Sequence, residues 1–244
     1  MNERTLSRRG LLVGAAWVAT AMATVRDSLV GTTPSPLSAP ADKIPVAFIL
    51  DDGATVIDFA GPWETFQDAA VGNHPGFELF TVAPRKTIQT TGNSSPQGMT
   101  GLSLTVDHVF PDAPQPRVIV MGAQSGRNDA GKLDWIRRMA PGADVVMSVC
   151  TGAFVLASTG LIDGLDATTH HDFYKSFEQS FPKVKLLRGR RFVDNGKFVS
   201  AGGLTSGIDA SLHIISRYFG DSSAKDTALY MEHNSNEWRS GVRT

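Results

Sequence analysis

Residues 145–160, VVMSVCTGAFVLASTG, restrict the fold more than any other stretch of this chain. Residues 145–150 form a short apolar run of the length and composition of a strand buried on both faces, as in a parallel sheet. After Cys150 the compact Thr151-Gly152-Ala153 lets the backbone bend tightly. Phe154, Val155, Leu156 and Ala157 then follow at helical spacing until Gly160 supplies a stop. The chain's one cysteine therefore sits where a strand turns into a helix. This is the arrangement of a nucleophile elbow, with Ser148 in place of the first glycine of G-x-S-x-G. Free N–H groups at the helix start are expected to favour the thiolate, drawing the thiol pKa from about 8.5 into roughly the 3.5–7.5 range. A lone cysteine is more commonly a small buried apolar residue; its place at the turn points instead to a nucleophile.

The remaining pattern extends this unit in both directions. Strands are expected at residues 44–50, 77–83, 88–91, 118–121 and 167–169, with an edge arm over 102–110 and a hairpin over 190–200 turning at Asp194-Asn195-Gly196. Helices are expected over 55–70, 129–139, 172–181, 205–219 and 222–231. Alternating strands and helices predict an α/β, doubly wound, mostly parallel sheet with helices on both faces (flavodoxin-like), in a single domain over residues 43–244. In such sheets reacting groups gather at the carboxyl ends of the strands. Asp51, Asp58, Gly122, Cys150 and His170 all fall just after expected strands.

Residues 1–23 read as an address. Ser7-Arg8-Arg9-Gly10-Leu11-Leu12 resembles a twin-arginine export signature, an apolar stretch follows, and Ala21-Met22-Ala23 offers an A-x-A cleavage site. The apolar stretch is shorter than the roughly 20 residues of a spanning helix, so cleavage and export to the periplasm or beyond are expected, with no stable membrane span afterwards. Residues 24–42, rich in Pro and Ser, read as a flexible linker. The formal net charge of −1 and the lack of a basic stripe argue against nucleic acid as a partner. A single cysteine excludes an intramolecular disulfide and any cysteine-based zinc site.

Each candidate has a plainer alternative. Asp58, between Ile57 and Phe59, is an N-cap or, buried beside a thiol, a carboxyl with a raised pKa that relays a proton. His170 is a partner for the thiol or an ordinary polar residue at a strand end, and its neighbour His171 points to the opposite face. Gly122 and Ala123 are turn residues or backbone donors to a developing anion beside Thr151.

Taken together, the segments VIDFAGPWE (56–64), SVCTGAF (148–154), GLIDG (160–164), ATTH (167–170) and GGLTSGID (202–209) resemble the DJ-1/PfpI family, on the class I glutamine-amidotransferase-like fold. The combination of D-F-x-G-P with C-T-G is most similar to the isonitrile hydratase branch and to the ligand domains of AraC-type regulators. The resemblance implies catalytic roles for Cys150, Asp58 and Thr151, while the residue pattern itself offers His170 as a further catalytic candidate and Gly122 and Ala123 as candidate substrate-binding residues. It also implies a cofactor-free and metal-free reaction on a small molecule, and a homodimer for which the segment around Trp63 and Phe66 offers a surface. The expected activity is addition of water to an isonitrile to give an N-substituted formamide. A glyoxalase-like or amidase-like enzyme, and an exported ligand-binding or redox-sensing domain, are the alternatives. Where relatives carry P-G-G after the fourth strand, this chain has Met121-Gly122-Ala123. No helix-turn-helix segment follows the last expected helix before Thr244, so direct reading of DNA is not expected.

Overall fold

Three consecutive apolar strands build the centre of the molecule. They are β1 (Ile44–Ile49), β6 (Val118–Met121) and β7 (Val145–Val149), and nearly every side chain on them is buried. The computed structural model describes residues 35–91 and 100–241. The leader expected over residues 1–23 lies outside the described residues.

Alternation along these strands sends side chains to two cores. Val46, Phe48, Val118, Val120, Val145, Met147 and Val149 face one side, with Phe66 of α1 (Val56–Gln67), α5 (Ser206–Phe219) and α6 (Asp221–Tyr230). Ala47, Ile49, Ile119, Met121 and Val146 face the other, against α2 (Ala130–Met139), α3 (Gly152–Ser158) and α4 (Tyr174–Ser180). Each fully buried aliphatic or aromatic side chain adds roughly 1.5–3 kcal/mol, so this double-sided burial is what makes the sheet rigid enough to carry a site.

The seven-stranded sheet runs β10-β11-β7-β6-β1-β2-β5, where β2 is Phe77–Ala83, β5 His108–Val109, β10 Phe192–Asp194 and β11 Phe198–Ala201. All pairs are parallel except β10 with β11. The doubly wound, mostly parallel single domain is thus as expected. From β1 the chain moves first to β2 and β5, then returns to the other side of β1 through β6 and β7. The reversal opens a crevice between the carboxyl ends of β1 and β6, the place where such sheets bind ligands.

Several local expectations need correction. Residues 88–91 and 102–110 do not all join the main sheet: β3 (Thr87–Thr91) and β4 (Thr100–Thr105) pair only with each other, and β5 alone docks on β2. The strand expected at 167–169 is shorter and earlier, β8 (Asp166–Ala167), and pairs with β9 (Lys185–Leu186) in a separate small ladder. The described end of the segment read as a flexible linker is tethered. Leu37 N–H donates to the carbonyl of Arg217 at 2.7 Å, the carbonyl of Pro40 lies 2.7 Å from His74 Nε2, and Leu37 and Ala39 pack on the core. Arg217 is in the last turn of α5, where carbonyls lack helical partners, so the segment fills a real vacancy. Phe66, expected at a dimer surface, is instead 1% exposed inside the core. Among the described residues no helix is long and apolar enough to cross a membrane.

Candidate active site

Cys150 adopts φ +57°, in the left-handed region that a non-glycine residue enters at a cost of about 1–3 kcal/mol. The surroundings enforce it. Its N–H donates to the carbonyl of Gly202 at 2.7 Å, and its own carbonyl accepts from Thr169 Oγ1 at 2.8 Å. Two residues on, a Cβ at Gly152 would lie 2.3 Å from the carbonyl oxygen of Met121, so only glycine lets α3 start this close to β6. The elbow expected from the sequence is therefore present, with Ser148 buried two residues before the cysteine.

Asp58 belongs to the first turn of α1 and is 0% exposed. It does not cap its own helix. Its Oδ2 accepts from Ala123 N–H at 2.9 Å, while Thr55 N–H donates to the Ala123 carbonyl at 2.9 Å. This two-way clamp ties the start of α1 to the turn after β6. Gly122 makes the approach possible, because a Cβ there would meet Asp58 Cβ at 2.6 Å. Gly61 and Gly207 in turn let α1 and α5 pack closely, with Ile208 and Pro62 at the contact.

The roles expected for Gly122 and Ala123 change accordingly. The Ala123 N–H is committed to Asp58 rather than aimed at substrate, and although Ala123 lines the cavity, Gly122 is not among the lining residues. They position the acid.

Burial pushes the Asp58 carboxyl up to about 6, against the opposing pull of the Ala123 N–H, the Cys150 thiol and the Leu204 N–H. Its Oδ1 has no well-aligned donor, so the thiol and Leu204 act on it as nearby dipoles more than as formed hydrogen bonds. Burial also raises the thiol, helped by the Asp58 charge, while the N–H groups of Thr151 and Leu204 pull it down. The expected low thiol pKa is thus overturned. The helix α3 donors are present, but desolvation beside a carboxylate outweighs them. Above about pH 6 the pair is therefore a protonated thiol beside a carboxylate, with one proton between them.

Leu204 was not legible as a site residue. It has φ +52°, which turns its N–H toward both partners, and nothing in its apolar side chain signals that use. Thr151 lines the cavity and supplies its N–H to the sulfur, as expected in kind. The His170 ring packs over Gly203, where a Cβ would sit 2.2 Å from Cδ2, and its Nδ1 accepts from Asp172 N–H at 3.3 Å. It stacks on His171 at 4.4 Å. The groups acting most strongly on the thiol are Asp58, Thr151 and Leu204. His170, His171 and Asp172 also place ligating atoms within 4.8 Å of one another, and the last two are exposed.

A cavity of about 670 Å³ opens over the sulfur at the sheet's switch point. Gly53 and Thr55 wall it on the β1 side, the loop from Ala123 to Asn128 on the other, with Cys150 and Thr151 at the floor and Phe173 at the rim. A buried ion pair holds that loop. Lys132 Nζ, 0% exposed, lies 2.9 Å from Asp51 Oδ2 and donates to the carbonyls of Ser125 and Gly126. A strained nucleophile, an adjacent buried acid and a walled cavity can support covalent addition to a small electrophile with proton transfer.

Comparison with known proteins agrees with this geometry. The model of the DJ-1/PfpI family matches residues 45–217. Isonitrile hydratase of Pseudomonas putida is 28% identical over 77% of this chain and 78% of its own length. The HTH-type transcriptional regulator GbdR of Pseudomonas aeruginosa is 29% identical over 78% of this chain, which spans only about half (51%) of that regulator. Among solved structures, a ThiJ/PfpI family protein from Pseudomonas syringae superimposes with a TM-score of 0.67 at 22% identity, covering 80% of this chain and 76% of that one. DJ-1beta of Drosophila melanogaster gives 0.64 at 15%, covering 79% and 100%. With the elbow cysteine, the parallel sheet and the family match over the same residues, the chain belongs to the DJ-1/PfpI family.

Proposed function

We propose that this protein hydrates a small isonitrile to an N-substituted formamide, with Cys150 as nucleophile and Asp58 as proton relay. The observation that carries the reading is the pairing of a strained, buried thiol that lines the cavity with a buried carboxyl behind it, pushed up to about 6. Asp58 as carboxylate takes the thiol proton as sulfur attacks the isonitrile carbon, and delivers that proton to the same carbon. The product is a thioimidate, in which an S–C and a C–H bond have formed and the C–N triple bond has become double. Water then adds to that carbon and the C–S bond breaks. One proton passes to nitrogen and one returns to sulfur, giving the formamide and the free thiol. The N–H groups of Thr151 and Leu204 stabilise negative charge on sulfur as it develops.

Formamide production from a simple alkyl isonitrile by purified protein, followed by NMR, tests the reading, with methylglyoxal as a parallel substrate. Cys150→Ser is expected to abolish turnover, since a hydroxyl without a dedicated base is far less nucleophilic. Conversion of methylglyoxal without any of the isonitrile would replace hydration by glyoxalase-like chemistry. A second reading, a domain that binds without turnover, is favoured by the likeness to GbdR and by a thiol held protonated at rest; saturable binding with neither substrate consumed would select it.

Export belongs to the same proposal and rests on Arg8-Arg9 and the A-x-A at residues 21–23. Replacing both arginines by lysine is expected to retain the protein in the cytoplasm, and unimpaired export of that variant would remove this part. The homodimer is likewise proposed from the resemblance; with Phe66 buried, its contact would use other surfaces. Light scattering at micromolar concentration decides it.

A further inference from the structure

The wall of the cavity carries chemistry that hydration of an unadorned isonitrile does not use. Arg127 lines it, and no Asp or Glu does. Its guanidinium sits over the rings of Phe154, at 4.7 Å, and Phe173, at 5.9 Å, and among the described residues it makes no ion pair with a carboxylate. A guanidinium set against aromatic rings spends none of its N–H donors on them, which leaves those donors for a planar anion. Beside it, Gln124 is only 7% exposed, lines the same cavity, and neither its side-chain oxygen nor its nitrogen has a partner among the described residues. An amide buried with no partner is costly and calls for an explanation.

The loop that carries both residues is fixed before any ligand arrives. Lys132 donates to the carbonyls of Ser125 and Gly126, Ser125 N–H donates to the Asp52 carbonyl at 2.8 Å, and Asn128 Oδ1 accepts from Ser158 Oγ at 3.0 Å. Gly126 has φ +63°, and a Cβ there would lie 2.8 Å from Asp51 Oδ2. Any larger residue would push the loop off the Asp51–Lys132 pair. A cation on a preformed wall is a recognition site at low ordering cost, and the unpaired amide beside it, whose polar atoms are closed to solvent, reaches a ligand by turning its side chain.

We propose that the substrate of this site carries a carboxylate, bound by Arg127 and Gln124 while its reactive carbon faces Cys150. One guanidinium and one amide, with no second cation in the lining, match a single planar monoanion better than a phosphate dianion. The inference names the substrate class of the site proposed above and rests on that reading for the reaction, but not for binding.

Isocyanoacetate and its methyl ester separate the two. A charge-assisted hydrogen bond is expected to favour the acid in kcat/KM by roughly 10- to 100-fold. Arg127→Met should collapse that ratio toward one through KM, and Arg127→Lys should recover part of it. A wild-type ratio near one, or a ratio unchanged in Arg127→Met, would overturn the inference while leaving hydration standing. Titration calorimetry of the wild-type protein with N-formylglycine and its methyl ester needs no turnover. Acid-selective binding lost in Arg127→Met would uphold the carboxylate site even if no isonitrile were consumed, in which case hydration alone would fall. Equal binding of acid and ester in the calorimetry overturns it. Gln124→Met should raise KM for isocyanoacetate and, by relieving the unpaired amide, raise Tm by roughly 2–4 °C; a lower Tm with unchanged KM would remove Gln124 from the site.

Discussion

Asp58 and Asp209 begin alike and end in opposite states. Each lies in the first turn of a helix on the same face of the sheet, and each is 0% exposed. Asp209 meets Arg191, whose Nε donates to Oδ2 at 2.7 Å, and His233, whose Nε2 lies 3.0 Å from Oδ1. These partners outweigh burial and hold its carboxyl below the ordinary value of 3.8. Asp58 forms no ion pair among the described residues, and burial pushes it up to about 6. Equal burial therefore holds one carboxylate ionised and leaves the other able to exchange a proton near neutral pH, the difference being whether a cation is supplied.

Removing the two carboxyls in turn is the strongest way to break the contrast. Asp58→Asn keeps shape but exchanges no proton, so kcat on an isonitrile should fall by about 10²–10⁴. Its thermal midpoint at pH 7 should hold or rise, because an unfavourably buried charge has gone. A destabilised yet fully active variant would make Asp58 structural. Asp209→Asn should do the reverse. It takes from the nearly buried Arg191 one of its two carboxylates and leaves Glu237 3.0 Å from Nε, so the loss should fall below the about 3–5 kcal/mol of a fully broken buried pair, or under roughly 10 °C in Tm. An unshifted calorimetric midpoint would refute the assignment.

Titration sharpens the same comparison with a smaller effect. The folded-state value of Asp58 is raised, so its contribution to stability is full below 3.8 and is lost as pH rises through about 6. The full shift corresponds to roughly 3 kcal/mol as an upper bound. Asp209, being lowered, contributes above 3.8 and loses that contribution as pH falls further. Denaturant midpoints across pH 3–8 should therefore lose the step near 6 in Asp58→Asn and lose part of the acid limb in Asp209→Asn. In the kinetics, kcat/KM should climb through about 6 as Asp58 becomes able to take the thiol proton. A flat profile there would argue against the relay. Alkylation of Cys150 by iodoacetamide at pH 8 should be slower than for a free thiol and faster in Asp58→Asn, since the Asp58 charge helps raise the thiol.

The smallest effect is expected at Leu204. Leu204→Gly retains the N–H that faces the pair and removes the left-handed strain, so stability should move by less than about 1 kcal/mol and the pH profile should keep its midpoint. A displaced midpoint would show that the side chain, and not the N–H, sets the environment of the pair.

The sequence by itself determined the class of fold and the place of the elbow cysteine. Those depend on local patterning: apolar runs at 118–121 and 145–150 can only be satisfied between two helical layers, and a cysteine before Thr-Gly-Ala at the end of one has a turn as its only exit. Asp58 was legible as a candidate because a carboxylate between apolar residues needs an explanation. What it does was not, since its pKa follows from the cations absent around it, and that depends on residues distant in the chain. The same holds for the thiol, whose expected activation by the helix start was reversed by burial and, after it, by a carboxylate from another helix. Leu204, Gln124 and Arg127 carried no pattern at all. An N–H aimed by a positive φ, an amide without a partner and a guanidinium set against two rings exist only after the loops are placed, because burial and distance, which decide electrostatic strength, are properties of the tertiary structure alone.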